Sequence, residues 1–181
     1  MRMLLSMVAA LAVLGSTSAE EIRFIGKSVI FSDYVIIRSL LDSREHKSFV
    51  RAARTVGLDH SLMLPGSTTV FAPDDAAFAA LAPEWKLKII DRPRRQAVAK
   101  LLACHIVTDP RYAGRRLSEL MKVGDRLVLP TLGGCPLTVT RTDQNYVVED
   151  DGERTSIISD VDILQANGMV QLIDRVMLPS S

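Results

Sequence analysis

The sequence has almost no excess of charge of either sign. Its 181 residues include 22 Lys and Arg and 21 Asp and Glu. One of the basic residues, Arg2, lies in an N-terminal segment that we expect to be removed, which leaves equal numbers of the two signs. A nucleic-acid partner usually requires a basic face on the protein, so this balance argues against such a partner.

Several catalytic and ligand-binding motifs are missing. The sequence contains no G-x-S-x-G turn for a serine hydrolase, no P-loop and no GxGxxG run. Neither CxxC nor HxxxH occurs, so no pair of residues has the usual spacing of zinc or copper ligands. We therefore predict a protein without enzymatic activity, cofactor or bound metal.

Residues 1–19, MRMLLSMVAALAVLGSTSA, are predicted to form a cleaved secretory signal peptide. Arg2 supplies a positive start, an apolar run extends from Leu4 to Leu14, and small residues at 17–19 fit a cleavage site. That run is short for a membrane span, and no second apolar span follows. We expect a secreted or periplasmic monomer of about 160 residues, the size of a single domain with its own core.

Export makes the two cysteines, Cys104 and Cys135, informative. Compartments outside the cytoplasm are oxidising, so the two residues are candidates for a disulfide that closes a loop of about 30 residues. In the chain-entropy model such a bond stabilises the fold by about 3 to 4 kcal/mol. The alternative is that both are buried, reduced cysteines that act as small hydrophobic residues.

Helices are predicted mainly in the first half of the mature chain and strands in the second half. Apolar residues recur at helical spacing within 33–57 and 83–104, whereas β-branched stretches separated by Gly, Pro and Asn fill 121–179. Residues 20–31 are predicted to form an N-terminal arm or a short edge strand. This segregation indicates an α+β fold and not an alternating parallel α/β fold.

The stretch TVFAPDDAAFAAL, residues 69–81, predicts a strand followed directly by a helix. Thr69, Val70 and Phe71 favour a strand, and the proline two residues later ends it. Asp74 or Asp75 is then placed to accept hydrogen bonds from free N–H groups at the start of the helix. Paired carboxylates also perform acid–base chemistry, but a helix cap worth about 1 kcal/mol is sufficient to explain them.

The same stretch resembles the first signature block of the fasciclin-like (FAS1) domain family. NGMVQLIDRVMLP, residues 167–179, resembles the second block, and LLACHIV lies where the family has a central tyrosine–histidine motif. DVDILQA precedes the second block, as it does in the family. The chain is therefore identified as a bacterial, secreted, single-domain member, with the FAS1 domain over residues 32–179.

The resemblance implies a compact wedge or sandwich of β-strands with several helices packed on it. It also implies a non-enzymatic adhesion or protein-interaction module outside the cytoplasm, whose partner is an unidentified protein, cell surface or glycan. In animal members, Tyr-His and Asp-Ile motifs are associated with receptor binding. Here Cys104 replaces the tyrosine, and His105, Asp162 and Ile163 match, so the resemblance implies these four as partner-binding residues. The histidine often found in the second block is Gln171.

Other interpretations remain open from the sequence. A metal or small-ligand carrier, or a small hydrolase, could use Cys104 and His105, and a structural cell-envelope component is a third possibility. His105 could equally be a buried, hydrogen-bonded histidine. Asp162 could present a carboxylate to a partner or cap a one-turn helix before the last strand.

Two charged clusters also have two interpretations each. The basic cluster RPRRQ contains Arg92, Arg94 and Arg95, and it could contact an acidic partner or an anionic polysaccharide, or form a solvated helix face. The acidic run EDDGE, residues 149–153, could bind calcium or form a solvated hairpin turn.

Overall fold

The structure is a computed structural model, and it describes residues 22–25, 28–90 and 95–179. The predicted signal peptide, residues 1–19, and two members of the basic cluster, Arg92 and Arg94, lie outside the described residues. Every helix within the described ranges is too short or too polar to cross a lipid bilayer.

Helices fill most of the first half of the described chain and strands most of the second half, as the sequence predicts. In chain order the elements are β1 (Ile22–Ile25), β2 (Ser28–Phe31), α1 (Ile36–Asp42), α2 (Lys47–Val56), α3 (Leu58–Ser61), β3 (Thr68–Pro73), α4 (Asp75–Ala79), α5 (Pro83–Ile90), α6 (Arg95–Ala103), β4 (Ile106–Val107), α7 (Leu117–Leu120), β5 (Arg126–Leu129), β6 (Leu137–Arg141), β7 (Tyr146–Glu149), β8 (Thr155–Gln165) and β9 (Gly168–Ile173). The predicted α+β class is confirmed.

Seven of the strands form one sheet in the order β4-β3-β9-β8-β7-β6-β5. All neighbours in this sheet are antiparallel except β3 and β9, which run parallel. Strands β1 and β2 form a separate antiparallel hairpin within the predicted N-terminal arm. The two signature blocks of the sequence, about 100 residues apart, therefore lie side by side as the parallel pair β3 and β9.

The β3–β9 pair is buried on both faces, as is typical of parallel strands. On β3, Val70 and Ala72 pack into a cluster of apolar residues under the helices. Between them, Phe71 points to the opposite face and joins a second cluster formed by β5 to β9 and α7. Side chains alternate between the faces of a strand, so one short stretch contributes to both cores.

The two ends of the sheet approach each other, which curls it into a near-barrel. The segment after β5 lies along β4, where the amide of Leu132 donates to the carbonyl of Ile106 at 2.7 Å. The amide of Gly133 donates to the carbonyl of Ala103 at 3.0 Å. The edge of β4 is therefore covered, and the seven strands with helices packed on them give the expected compact FAS1-type architecture.

The two adjacent carboxylates after β3 cap two different helices. Asp74 accepts a hydrogen bond from the amide of Ala77 at 2.6 Å and caps α4. Asp75 instead accepts from the amides of Lys47 and Ser48 at 3.3 and 2.6 Å, at the start of α2. Partial burial raises the pKa of Asp75, but the hydrogen bonds from Ser48 and Lys47 outweigh it and lower that pKa. Both carboxylates are therefore structural.

Candidate partner-binding site

Cys104 and Cys135 are joined by a disulfide, which decides between the two interpretations of the sequence. Their Cα atoms lie 5.2 Å apart, within the normal range for this bond. Cys104 follows the last turn of α6, and Cys135 lies in the loop between β5 and β6. The bond holds that loop against α6 and β4, at the place where the sheet closes.

His105 is fully buried, and both nitrogens of its ring are hydrogen-bonded to the backbone. Nδ1 lies 2.9 Å from the carbonyl oxygen of Leu101, and Nε2 accepts a hydrogen bond from the amide of Met177 at 3.0 Å. This pattern requires the neutral ring with its proton on Nδ1. Burial lowers the pKa of His105 to about 4, so the ring stays neutral at pH 7.

These contacts occupy the sulfur of Cys104 and the ring nitrogens of His105, the atoms that a metal carrier or a hydrolase would use. Cys104 has no free thiolate, and His105 has no free nitrogen to ligate a metal or to accept a proton from a nucleophile. In the part of the chain that the structure describes, no group of three His, Cys, Asp or Glu side chains is placed to hold a metal ion. The sequence interpretation of a buried, hydrogen-bonded histidine is the one that the geometry supports.

Asp162 lies inside β8, at an irregularity where the pairing with β9 shifts register. Its backbone has the positive φ of 59°, which Asp adopts more readily than most residues. Its carboxylate accepts hydrogen bonds from the amides of Leu117 and Ser118, at 2.7 and 3.0 Å, and from the Ser118 hydroxyl at 2.6 Å. Strand β8 continues to Gln165, so of the two interpretations of Asp162 the cap of a one-turn helix before the last strand is wrong. Asp162 caps α7, which precedes it by 45 residues, because the bulge turns its side chain toward that helix.

Gln171, which stands where the family often has histidine, completes the contacts of Asp162. Its side-chain oxygen accepts from the amide of Asp162 at 2.8 Å, and its nitrogen donates to the Asp162 carboxylate at 3.2 Å. The neighbouring Ile163 is 1% exposed and packs in the cluster under the helices. Asp162 and Ile163 thus fix β8 against α7 and the core.

All four residues that the resemblance implies as partner-binding are buried. Cys104 and His105 are 0% exposed, Asp162 is 3% exposed and Ile163 is 1% exposed. Any partner contact at these places is therefore made by exposed neighbours, whose backbone the buried residues hold in position. Their association with partner binding stays a prediction.

Exposed apolar side chains lie in two segments that meet at the turn between β8 and β9. Leu164 follows directly on β8 and is 38% exposed, and Met63 and Leu64, after α3, are 47% and 63% exposed. Asn167, in the turn between β8 and β9, connects the two segments, because its side chain donates to the carbonyls of Leu62 and Leu64 at 2.9 and 3.0 Å. We call Met63, Leu64 and Leu164 the apolar patch.

Sequence reasoning missed the role of Asn167, which it explained by turn geometry alone. The side chain is buried and also accepts from the amide of Ile36 at 2.9 Å, at the start of α1. The residue thereby connects the β8–β9 turn, α1 and the loop after α3. Its partners lie more than 100 residues away in the chain, so no local pattern could have found them.

The acidic run EDDGE forms the turn between β7 and β8, as the hairpin interpretation predicts. Asp150 is 3% exposed, and its carboxylate accepts from the Arg154 side chain at 2.9 Å and from the amide of Leu178 at 3.0 Å. It also accepts from the amides of Gly152 and Arg154. These contacts tie the hairpin to the C-terminal segment and do not resemble a calcium loop.

Comparison with known proteins agrees with this geometry. The sequence model of the fasciclin domain family matches residues 44–179, which is most of the chain. The chain belongs to the fasciclin domain family. The match includes both signature blocks and every element from α2 to β9.

Two curated relatives and one solved structure illustrate the range of the fasciclin family. Protein sll1483 of Synechocystis is 26% identical over 162 residues, which cover 90% of this chain and 83% of that protein. Transforming growth factor-beta-induced protein ig-h3 of Sus scrofa is 29% identical over 146 residues, 80% of this chain but only 20% of the relative. A FAS1 domain pair from the insect cell adhesion molecule Fasciclin I superposes with a TM-score of 0.69 and 13% identity, over 88% of this chain and 66% of the other.

Proposed function

We propose that this fasciclin domain is a non-enzymatic adhesion or protein-interaction module that acts outside the cytoplasm, in the periplasm or after secretion. Membership of the fasciclin family carries this proposal, since one solved relative is described as a cell adhesion molecule. The Cys104–Cys135 disulfide supports the location, because such bonds persist in oxidising compartments. The signal peptide predicted over residues 1–19 would deliver the chain there.

The apolar patch is the surface that we assign to the protein partner. The patch consists of large apolar side chains with 38% to 63% exposure, and Leu164 directly follows the Asp-Ile motif of the family. Asp162 and Ile163 act as positioning residues, because their buried contacts with α7 and the core hold β8 in place. A partner that covers the patch would remove apolar surface from water, which is the main driving force of association.

Site-specific photo-crosslinking in the native host tests this assignment. A photoreactive residue at Leu164 or Leu64 should give a discrete adduct with one protein in the exported fraction. The matched control carries the probe at Thr142, an exposed residue in the β6–β7 turn. Adducts that are equal at Thr142, or absent at both patch positions, would contradict the assignment.

Export is tested separately by intact mass of the protein from the periplasm and medium. The proposal expects a chain of residues 20–181 that lacks two hydrogens because of the disulfide. Full-length, reduced protein found in the cytoplasm would refute an extracytoplasmic role, whatever the crosslinking result.

A further inference from the structure

A continuous basic track runs over the two helices α2 and α6. Three shallow depressions make up this track, and adjacent ones share residues, so they form one surface. Arg54 lines both the first and the second, while Gln96 and Ala99 line both the second and the third. The track begins near Lys47 and ends at the loop that the disulfide holds against α6.

Five exposed cations line the basic track. On α2, Lys47, Arg51 and Arg54 are spaced at i, i+4 and i+7, so they share one face of the helix. On α6, Arg95 and Lys100 continue the row. The track therefore places five positive charges on one surface of a chain whose total charge is close to zero.

No carboxylate neutralises these cations within the described part of the chain. The residues that line the three depressions include no Asp or Glu, and none of the five cations forms an ion pair with a described carboxylate. Arg95 instead donates from Nε to the carbonyl of Thr55 at 2.8 Å, which places its guanidinium at the C-terminal end of α2. Lys47 Nζ likewise donates to the carbonyl of Leu41 at 2.7 Å. All five cations are exposed and keep N–H groups that an anionic ligand can reach.

The length and the flatness of the track favour an extended polymer over a small anion. A helical rise of 1.5 Å per residue separates Lys47 and Arg54 by about 10 Å, and Arg95 and Lys100 by about 8 Å. The small residues Ala97, Ala99 and Ala103 line part of the track along α6, beside the longer side chains of Gln96 and Lys100. One small anion could contact only a fraction of these charges.

The side chains that line the basic track fit some polyanions better than others. Among the lining residues that the structure describes, none is aromatic, so bases of a nucleic acid would find no stacking platform. Only Leu132, at one end, is a large, strongly exposed apolar side chain, which is too little for insertion into a membrane. The depressions also lack the deep apolar pockets in which protein partners anchor side chains.

We propose that the α2–α6 track binds an acidic polysaccharide through its sulfate or carboxylate groups. This ligand is additional to the protein partner of the apolar patch, and either proposal can fail alone. The exposed α2 and α6 cations would act together, each interaction being weak because it is exposed to solvent and screened by salt.

Binding of the oxidised, full-length mature protein to dextran sulfate tests the proposal, with uncharged dextran, polyglutamate and anionic phospholipid vesicles as comparisons. We expect binding to dextran sulfate alone or most tightly, with affinity that falls between about 50 mM and about 200 mM salt. The variant Arg51→Gln/Arg54→Gln/Lys100→Gln should bind roughly tenfold more weakly. The control Arg115→Gln/Lys122→Gln/Arg175→Gln removes the same charge from exposed positions outside the track and should bind nearly as the wild type does.

An equal loss of affinity for dextran sulfate in the two triple variants would show that binding responds only to net charge, and it would overturn the assignment of the site to the basic track. Tighter binding to polyglutamate or to the vesicles would overturn the polysaccharide. Hydrogen exchange of the wild type keeps the test independent of variant folding. Dextran sulfate should protect residues 47–57 and 95–103, and protection confined to other segments would refute the proposal.

Discussion

The amide of Met177 donates a hydrogen bond to Nε2 of His105 at 3.0 Å, across 72 residues of sequence. On the other side of the ring, Nδ1 bonds the carbonyl of Leu101 in α6. His105 therefore connects the end of α6 to the segment after β9, and only its neutral form can accept the hydrogen bond from Met177. The histidine of the family's central motif is here a structural link between two parts of the core.

Stability should fall as the solution becomes acidic, because His105 binds a proton more weakly in the folded state. Its pKa is about 4 when folded and 6.5 in a model peptide, so between these values the unfolded chain binds more protons. The contribution of neutral His105 to the free energy of unfolding is fully present above pH 6.5 and is lost as the pH falls toward 4. We expect a decrease of about 3 kcal/mol in the free energy of unfolding between pH 7 and pH 4 from this residue.

Urea unfolding at several pH values measures this decrease, with two variants. His105→Gln should be less stable at pH 7, because glutamine cannot keep both bonds, but its stability should depend less on pH. His60→Gln, at an exposed position on α3, should retain the wild-type pH dependence. An unchanged slope in His105→Gln would assign the acid sensitivity to other groups.

His46 adds to the same effect. It is buried, its Nδ1 lies 2.7 Å from the Ser43 hydroxyl, and its Nε2 has no hydrogen-bond partner within the described chain. Burial lowers its pKa, although Asp74, Asp75 and Glu45 face it and raise the pKa in part. The lowered pKa of His46 therefore changes stability with pH in the same direction as that of His105. The double variant His46→Gln/His105→Gln should have a free energy of unfolding that depends on pH less than that of either single variant.

Replacing Asp162 by Asn should destabilise the fold by about 2 to 4 kcal/mol. Asn keeps the size and tolerates the positive φ, but it replaces a carboxylate oxygen with a donor that faces the amide or hydroxyl of Ser118. Chemical unfolding measures the loss, with Asp143→Asn in the exposed β6–β7 turn as the control. A loss no larger than that of the control would mean that α7 does not depend on this cap.

Local chemistry was enough to predict most of the elements that position the site. The strand-to-helix stretch at 69–81, the apolar face of α6 and the hairpin at 149–153 all follow from spacing and turn residues. A cap of α4 by Asp74 or Asp75 was predicted, and Asp74 makes it, because a cap acts within three residues. The cap of α2 by Asp75 was not predicted, since its partners Lys47 and Ser48 come from a segment nearly 30 residues earlier.

The burial of the motif residues required the tertiary structure. From the sequence, Asp162 could present a carboxylate to a partner or cap a one-turn helix, because it is charged and precedes a polar turn. A bulge in β8 turns it inward, and this bulge arises where the pairing of β8 with β9 shifts register, which depends on contacts beyond the local sequence. Likewise, the ring contacts of His105 depend on the return of the chain after β9, which no local pattern specifies.

Removal of the Cys104–Cys135 disulfide should lower the free energy of unfolding by about 3 to 4 kcal/mol. The bond closes a loop with a sequence separation of 31, which restricts the unfolded chain. Denaturant unfolding with and without reductant measures the loss. The Cys104→Ala/Cys135→Ala variant should resemble the reduced wild type and should not respond to reductant. Equal stability of the oxidised and reduced protein would contradict the predicted stabilisation by the disulfide.

Gly168→Ala should prevent β3 and β9 from pairing and so abolish folding. A Cβ at this position would lie 1.9 Å from the carbonyl oxygen of Thr68, its partner in the parallel register, and the φ of 146° adds strain. Gly124→Ala is the matched control, since its φ of 88° carries strain but a Cβ there meets nothing within 4 Å. Circular dichroism and thermal unfolding should show a folded Gly124→Ala protein that loses about 1 kcal/mol, and no cooperative transition for Gly168→Ala. If both variants lost the same small amount, the close approach of the two signature strands would not be needed for the fold.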